Sequence, residues 1–351
     1  MSRVRQFFSS LNFPGIGKNA NLTIDFGNFR TKVIVDDQLI FNQASCYVAD
    51  KLNQVVLSYG DQARSLLGKE PAQARVVFPF KNGVIYDRQN FKQFFEIILK
   101  EIKSEQNWSW LSKLKVVVTV PHVATTLDRK IFKNSLFKLG LNKIEILEKS
   151  SVLPLALPNK HNAQFIVDVG DRLTELVIAT GGQSHCSRTV CWGGADLTRI
   201  IQEYLRDEFD IAVSLRQALK LKHQLVNVTP ASAPKKKAKT QDNQIETKTN
   251  VRGLDLVSHL IVTKTISLDQ VNQALIKELG QLSHQLQRFF SQVPAEQLMT
   301  AFDHGLFLTG GGGLITGLDE YLSNWLNIEV LRLPEPQLSV VKGAAAFKKK
   351  S

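Results

Sequence analysis

Asp25-Phe26-Gly27 and Asp168-Val169-Gly170 each set an aspartate and a glycine one residue apart at the end of an apolar run, Leu22-Thr23-Ile24 in one case and Phe165-Ile166-Val167 in the other. A carboxylate at the end of a buried strand can hold a hydrated Mg2+ against phosphate oxygens. The glycine lets backbone N–H groups approach an anion without a side chain in the way. A single Asp-x-Gly is ordinary turn chemistry; two of them at matched places in two halves point to phosphate and metal. A third feature follows the run Leu306-Phe307-Leu308-Thr309, where Gly310, Gly311, Gly312 and Gly313 stand in succession. Four consecutive glycines carry a large conformational entropy cost, and a turn needs only one or two. Close backbone approach to a phosphate or a flat ligand accounts for the run, with tight packing as the alternative.

The elements that must position these residues recur. Leu22–Phe26 reads as a strand, Lys32–Val35 as a second, and Asp36-Asp37 as the hairpin turn leading to Leu39-Ile40-Phe41. Phe165–Val169 and Leu173–Thr180 repeat strand, Asp-x-Gly turn, strand. Lys115–Val120, apolar and β-branched and closed by Pro121, reads as a buried strand, followed by a helix over 125–139 with Leu127, Ile131, Leu136 and Leu139 apolar. Helical periodicity returns from Leu268 to Phe290, and Leu306–Leu308 is a further strand. The fold class expected is α/β: two duplicated domains, each a mixed sheet flanked by helices, facing each other across a cleft. Domain I spans 21–147 with a small insertion at about 38–75. Domain II spans 148–334 with an insertion at about 187–264 and a polar, basic loop at 226–250, and residues 335–351 return to domain I.

The first 20 residues stand apart. Val4, Phe7, Phe8 and Leu11 follow the spacing of one helical face, with Arg3 and Arg5 between them, and Pro14-Gly15 ends the segment. A short basic amphipathic helix suits a bilayer interface. No secretory leader and no membrane-spanning run are expected. The formal charge of +12 owes much to lysine clusters at Lys235–Lys239 and Lys348–Lys350. Such clusters are ordinarily solvated, or hold a protein near anionic lipid. No zinc finger, RNA-binding signature or helix-turn-helix accompanies them, so nucleic acid is not expected as a partner. The three cysteines, Cys46, Cys186 and Cys191, show no metal-ligand spacing and read as small buried or edge residues. None of the seven histidines, His122 included, shows ligand spacing.

The order of the three motifs resembles that of actins, sugar kinases and Hsp70 chaperones, and the detail resembles the bacterial MreB family. Gly60-Asp61-Gln62-Ala63-Arg64, Phe80 to Asp87, Trp192-Gly193-Gly194-Ala195-Asp196, Val251-Arg252-Gly253-Leu254-Asp255-Leu256 and Leu308 to Gly312 resemble that family's segments in order, over about residues 21–347. The resemblance implies an actin-like fold around one ATP with Mg2+. Asp25, Gly27, Asn28 and Arg30 fall in the first phosphate loop and Asp168, Gly170 and Arg172 in the second. Gly310 to Gly313 lie against the adenosine, and Gln217 and Lys220 fall on the family's "E-x-x-K" contact. Asp25 and Asp168 are the implied metal residues. Asp128 takes the place of the water-orienting glutamate in "V-E-R-R" and is about 1.5 Å shorter in reach. The implied protein is cytoplasmic, at the inner face of the plasma membrane. It forms filaments on the lipid surface with membrane proteins of cell-wall synthesis or morphogenesis, and so determines cell shape.

The departures sit at the phosphate end. Where the family has "D-I-G-G-G-T-T-E", this chain has Asp168-Val169-Gly170-Asp171-Arg172-Leu173-Thr174-Glu175, which adds a negative charge where a phosphate belongs. Phe29 and Arg30 are bulky where small or amide side chains are usual. Arg30 and Arg172 are the residues able to rebuild the site. The expectation is weak or absent ATP hydrolysis. The alternative is a non-polymerising actin-like adaptor of a membrane complex, similar to PilM or FtsA, with a cleft that is mainly structural. A sugar kinase would need a carboxylate base beside a sugar site, and none is evident.

Overall fold

The computed structural model describes residues 21–102, 113–158, 163–229 and 248–348. The membrane-facing candidates Val4, Phe7, Phe8 and Leu11 and the lysines at 235–239 lie outside the described residues.

In the first half, β1 (Asn21–Phe26), β2 (Arg30–Val35) and β3 (Gln38–Ala44) form an antiparallel meander, and Asp36 and Asp37 take left-handed conformations at the turn between β2 and β3. Next come β4 (Tyr47–Asp50), β5 (Val56–Tyr59), α1 (Gly60–Ser65) and β6 (Ala74–Val77), which make a small separate sheet, and then the short pair β7 (Phe80–Lys81) and β8 (Val84–Ile85). After α2 (Arg88–Ile102), β9 (Lys115–Val120) pairs in parallel with β1. It is followed by α3 (Thr126–Phe137) and β10 (Lys143–Glu148), giving the sheet order β10-β9-β1-β2-β3. Burial of an apolar face drives this arrangement. Leu22, Ile24, Phe26, Val116 and Val118 pack with an aromatic group of Phe80, Phe91, Phe94, Phe95 and Phe132. On α3 the buried residues are Phe132 and Leu136, whereas Leu127, expected on the apolar face, is exposed.

The second half repeats the plan. After α4 (Lys149–Val152), β11 (Gln164–Val169), β12 (Thr174–Thr180) and β13 (Gln183–Val190) form the matching meander. Then come α5 (Gly194–Phe209), β14 (Ile211–Ala212), α6 (Leu215–Leu225), and β15 (Lys248–Asp255) with β16 (Ile261–Ser267) in a three-stranded sheet. The polar stretch expected over 226–250 ends earlier than its composition suggests, because residues 248–250 already belong to β15. The long α7 (Leu268–Phe290) and α8 (Ala295–Phe302) lead to β17 (Leu306–Thr309), which lies parallel to β11. After α9 (Leu318–Leu326), β18 (Val330–Arg332) completes the order β13-β12-β11-β17-β18. The last helix, α10 (Ser339–Lys348), packs against β1, β2 and β9 of the first sheet, with Leu338 and Val341 against Ile34. Cys46 is buried, Cys186 is half-buried on the edge strand β13, Cys191 is exposed, and all three are free thiols.

Candidate functional site

The two Asp-x-Gly turns are built alike. In the first, the Gly27 N–H donates to Arg30 O at 3.2 Å; in the second, the Gly170 N–H donates to Leu173 O at 2.9 Å. A Cβ on either glycine would lie 2.6 Å from that same carbonyl oxygen, so both turns require glycine for the tight closure itself. Each aspartate also meets a threonine from the parallel neighbour strand. Thr119 Oγ1 donates to Asp25 Oδ1 at 3.1 Å, and Thr309 Oγ1 donates to Asp168 Oδ1 at 2.8 Å. The strand registers make these equivalent positions, Asp25 opposite Thr119 and Asp168 opposite Thr309.

The turns face each other across a cleft lined by Asp25, Gly27, Asn28, Arg30, Asp168, Gly170, Asp171, Arg172, Gly310 and Gly311, with Lys32, Lys149 and Glu175 on its floor. Of the expected phosphate-loop residues, all seven reach this cleft. Arg30 reaches it with four of its five N–H donors already used. Its guanidinium makes a two-pronged pair with Asp61, at 2.8 and 3.0 Å, and donates to Asn42 Oδ1 at 2.9 Å and to the Asn42 carbonyl. Arg30 therefore ties β2 to α1 and does not stand free for a phosphate. Arg172 is exposed at the cleft edge.

The glycine run divides. Gly310 has φ +82° and a Cβ there would lie 2.3 Å from Val169 O; one on Gly312 would lie 2.2 Å from Val169 Cγ1. These two glycines are required by packing on β11. A Cβ on Gly313 would make only ordinary contacts, and Gly313 does not line the cleft. Gly311 alone of the four opens onto free space at the cleft wall. Of the run expected to lie against a ligand, Gly310 and Gly311 line the cleft, and Gly312 and Gly313 do not.

Three further expected residues lie elsewhere. Asp128 is spent on a capping box at the start of α3: its Oδ2 accepts from Thr125 N at 2.9 Å and Thr125 Oγ1 at 2.6 Å. It does not line the cleft. Gln217 sits in the first turn of α6 and lies outside the cleft lining, its backbone N–H capped by Ser214 Oγ. Lys220 is exposed and lines a neighbouring groove with Phe29, Arg30, Arg64 and His223. The α6 lysine that does reach the second turn is Lys222. Its ammonium donates to Gly194 O at 2.6 Å and interacts with Asp171, and burial brings its pKa down to about 8.

Charge on the cleft floor is where sequence reasoning missed most. Lys32 Nζ lies 2.9 Å from Asp25 Oδ2 and Lys149 Nζ lies 3.1 Å from Asp25 Oδ1. Burial alone pushes the Asp25 carboxyl up, but Lys149 and Lys32 outweigh it and hold the group well below the usual carboxylate range. Asp168 is raised, since burial there outweighs Lys149 and the Thr309 bond. Glu175, 2% exposed, is pushed up to about 7 by burial, against the opposing Thr189 hydrogen bond and Lys149. These surroundings do not fit a hydrated Mg2+ on Asp25 and Asp168. Both oxygens of Asp25 already bear ammonium groups. Among the described residues no cluster of three or more His, Cys, Asp or Glu is arranged to hold a metal ion.

Two duplicated halves, each a meander with a parallel fourth strand, joined across a cleft floored by paired Asp-Gly turns, define an actin-like protein. The chain belongs to the MreB/Mbl protein family, whose model matches residues 19–351. It is an MreB-like, actin-like cytoskeletal protein. It is 25% identical over 332 residues to the cell shape-determining protein Mbl of Bacillus subtilis (strain 168), covering 93% of this chain and 95% of that protein. It is also 25% identical over 339 residues to the cell shape-determining protein MreB of Escherichia coli (strain K12), covering 94% and 93%. In structure it is similar to MreB 5 of Spiroplasma citri bound to AMPPNP, with a TM-score of 0.85 at 20% identity over 95% of this chain and 97% of that one. A MamK double helical filament gives a TM-score of 0.75 at 15% identity, covering 94% and 99%. The family match does not favour the adaptor alternative.

Proposed function

We propose that this protein binds an adenine nucleotide in the cleft between the two turns and assembles into filaments at the inner face of the plasma membrane, where they scaffold cell-wall synthesis. The observation that carries the reading is the pair of glycine-closed turns facing each other beside the open wall at Gly311. Two structures of one relative support it: MreB5 of Spiroplasma citri, solved with AMPPNP and with ADP. The MamK filament supports head-to-tail assembly through contacts that do not close. Hydrolysis is weak in this reading, because Asp128 is committed to a helix cap and does not line the cleft.

Membrane association rests on the basic amphipathic segment at residues 1–20, multiplied along a filament by avidity. Among the described residues no helix is long and apolar enough to cross a membrane.

Calorimetry with ADP and ATP tests the nucleotide site, using Gly311→Leu as the control, because the position lines the cleft and a Cβ there meets no atom within 4 Å. Binding to the wild type that the substitution weakens at least about tenfold, or 1.4 kcal/mol, supports the reading. Pelleting with anionic vesicles tests assembly: a protein that stays monomeric and in the supernatant with nucleotide present sinks the filament.

A further inference from the structure

The floor of the cleft holds two lysines where the nucleotide reading would place a metal. Lys149 is the first residue of α4, directly after β10, and its side chain is 15% exposed. Its ammonium sits on Asp25 Oδ1, while Lys32 from β2 covers Oδ2. The same lysine acts electrostatically on Asp168 and Glu175 from the other half, so one cation serves the carboxylates of both turns. That is the task a divalent ion performs between two domains around a polyphosphate: it neutralises facing carboxylates and offers positive charge to phosphate oxygens. An ammonium has three donors. One meets Asp25, and the group lines the open cleft, leaving donors for a ligand oxygen.

We propose that Lys149, seated on Asp25 with Lys32 beside it, takes the place of the divalent cation, so that this protein binds the phosphates of its nucleotide in their metal-free form. The proposal rests on the nucleotide-binding reading above and deepens it. A dication entering the same floor would meet two fixed positive charges and a carboxylate with no free oxygen. Mg2+ demands near-ideal octahedral oxygen ligation at about 2.1 Å. Asp168, whose Oδ1 already accepts from Thr309, is the single remaining carboxylate of the pair.

The test is calorimetric binding of ADP and ATP to the full chain in Mg2+ and, separately, in EDTA, with wild type, Lys149→Met and Lys149→Gln. Wild-type affinity that changes by less than about threefold on chelation supports the proposal, since an ion that does not bind contributes nothing by linkage. In the same case Lys149→Met or Lys149→Gln binds at least about tenfold more weakly in EDTA and regains affinity with Mg2+, because Asp25 Oδ1 is then free to take the ion. Wild-type binding that requires Mg2+ overturns the proposal and leaves the nucleotide reading standing. Binding in neither condition overturns both. Manganese titration without nucleotide, followed by electron paramagnetic resonance, is independent of that reading. No tight Mn2+ site in the wild type is expected, and a tight one at the cleft overturns the inference even where the Lys149 variants do not fold.

Discussion

Lys32 and Glu175 stand at the same register position in the two related hairpins, Lys32 opposite Asp25 and Glu175 opposite Asp168. The two halves share backbone and threonine partners but carry opposite charges here. The lysine, with Lys149, keeps Asp25 ionised; the glutamate leaves Asp168 facing another carboxylate in a buried place. The duplicated fold thus contains one half built for positive charge and one built to hold protons.

That asymmetry gives a pH dependence. The Glu175 pKa is about 7 in the folded chain against 4.5 for an ordinary glutamate. Between those values the folded state holds a proton that the unfolded state has released, so stability falls as pH rises through the window. The full effect is on the order of 3 kcal/mol. Glu175→Gln mimics the protonated acid, and the Thr189 hydroxyl, which now donates to Oε2 at 2.8 Å, can turn to accept from the amide. Urea unfolding across pH 4.5 to about 7 is expected to show a falling midpoint in the wild type and a flatter profile in the variant. Equal slopes in both would show that Glu175 is not the group.

Removing Asp25 is expected to act on folding before it acts on any ligand. Asp25→Ala leaves the ammonium groups of Lys32 and Lys149, 13% and 15% exposed, without their shared counterion. Losing one partner of a buried ion pair costs about 3–5 kcal/mol. Thermal or urea denaturation reads this directly. A variant as stable as the wild type would mean that water or Asp168 takes over the pairing. Asp25→Ala is for this reason a poor probe of nucleotide binding, and Gly311→Leu a better one.

Much of the scaffold was legible because its signals are local. Apolar β-branched runs mark β1, β9, β11 and β17, and Asp36-Asp37 marks a hairpin through residues that tolerate left-handed backbone. The cleft floor was not legible. Lys149 follows Asp25 by more than a hundred positions, and nothing in its neighbours Glu148 and Ser150 says that its side chain meets Asp25. Arg30 resembles a phosphate contact in the sequence, because its partners, Asn42 and Asp61, come from another strand and a helix. Resemblance points to Lys220, but the lysine two residues later faces the second turn, since α6 presents Lys222 inward and Lys220 to solvent. Pairings between distant segments are set by tertiary packing, which periodicity does not encode.

The glycine run separates into stability and ligand positions by single substitution. Gly310→Ala forces a Cβ into Val169 O at a left-handed φ, and Gly312→Ala forces one into the Val169 side chain. Each is expected to destabilise by about 2–4 kcal/mol through overpacking and strain. Gly311→Ala meets no atom within 4 Å and is expected to stay within about 0.5 kcal/mol of the wild type. Differential scanning calorimetry of the three variants checks the order. A destabilised Gly311→Ala would mean that the cleft wall is closed in solution.

Asp128 separates a cap from a catalyst. Its carboxylate accepts from both the backbone and the hydroxyl of Thr125, and the Thr125 hydroxyl accepts from the Asp128 N–H at 3.2 Å. The pair closes the first turn of α3, where the helix macrodipole also favours a negative charge. Thr125→Ala and Asp128→Ala are each expected to cost about 1 kcal/mol of stability. Because the two residues form one unit, the double variant should cost less than the sum of the singles. Any slow release of phosphate from ATP is expected to be the same in Asp128→Asn as in the wild type. A hydrolysis rate that drops tenfold or more, about 1.4 kcal/mol of barrier, would return Asp128 to the reaction and require α3 to shed its cap during turnover.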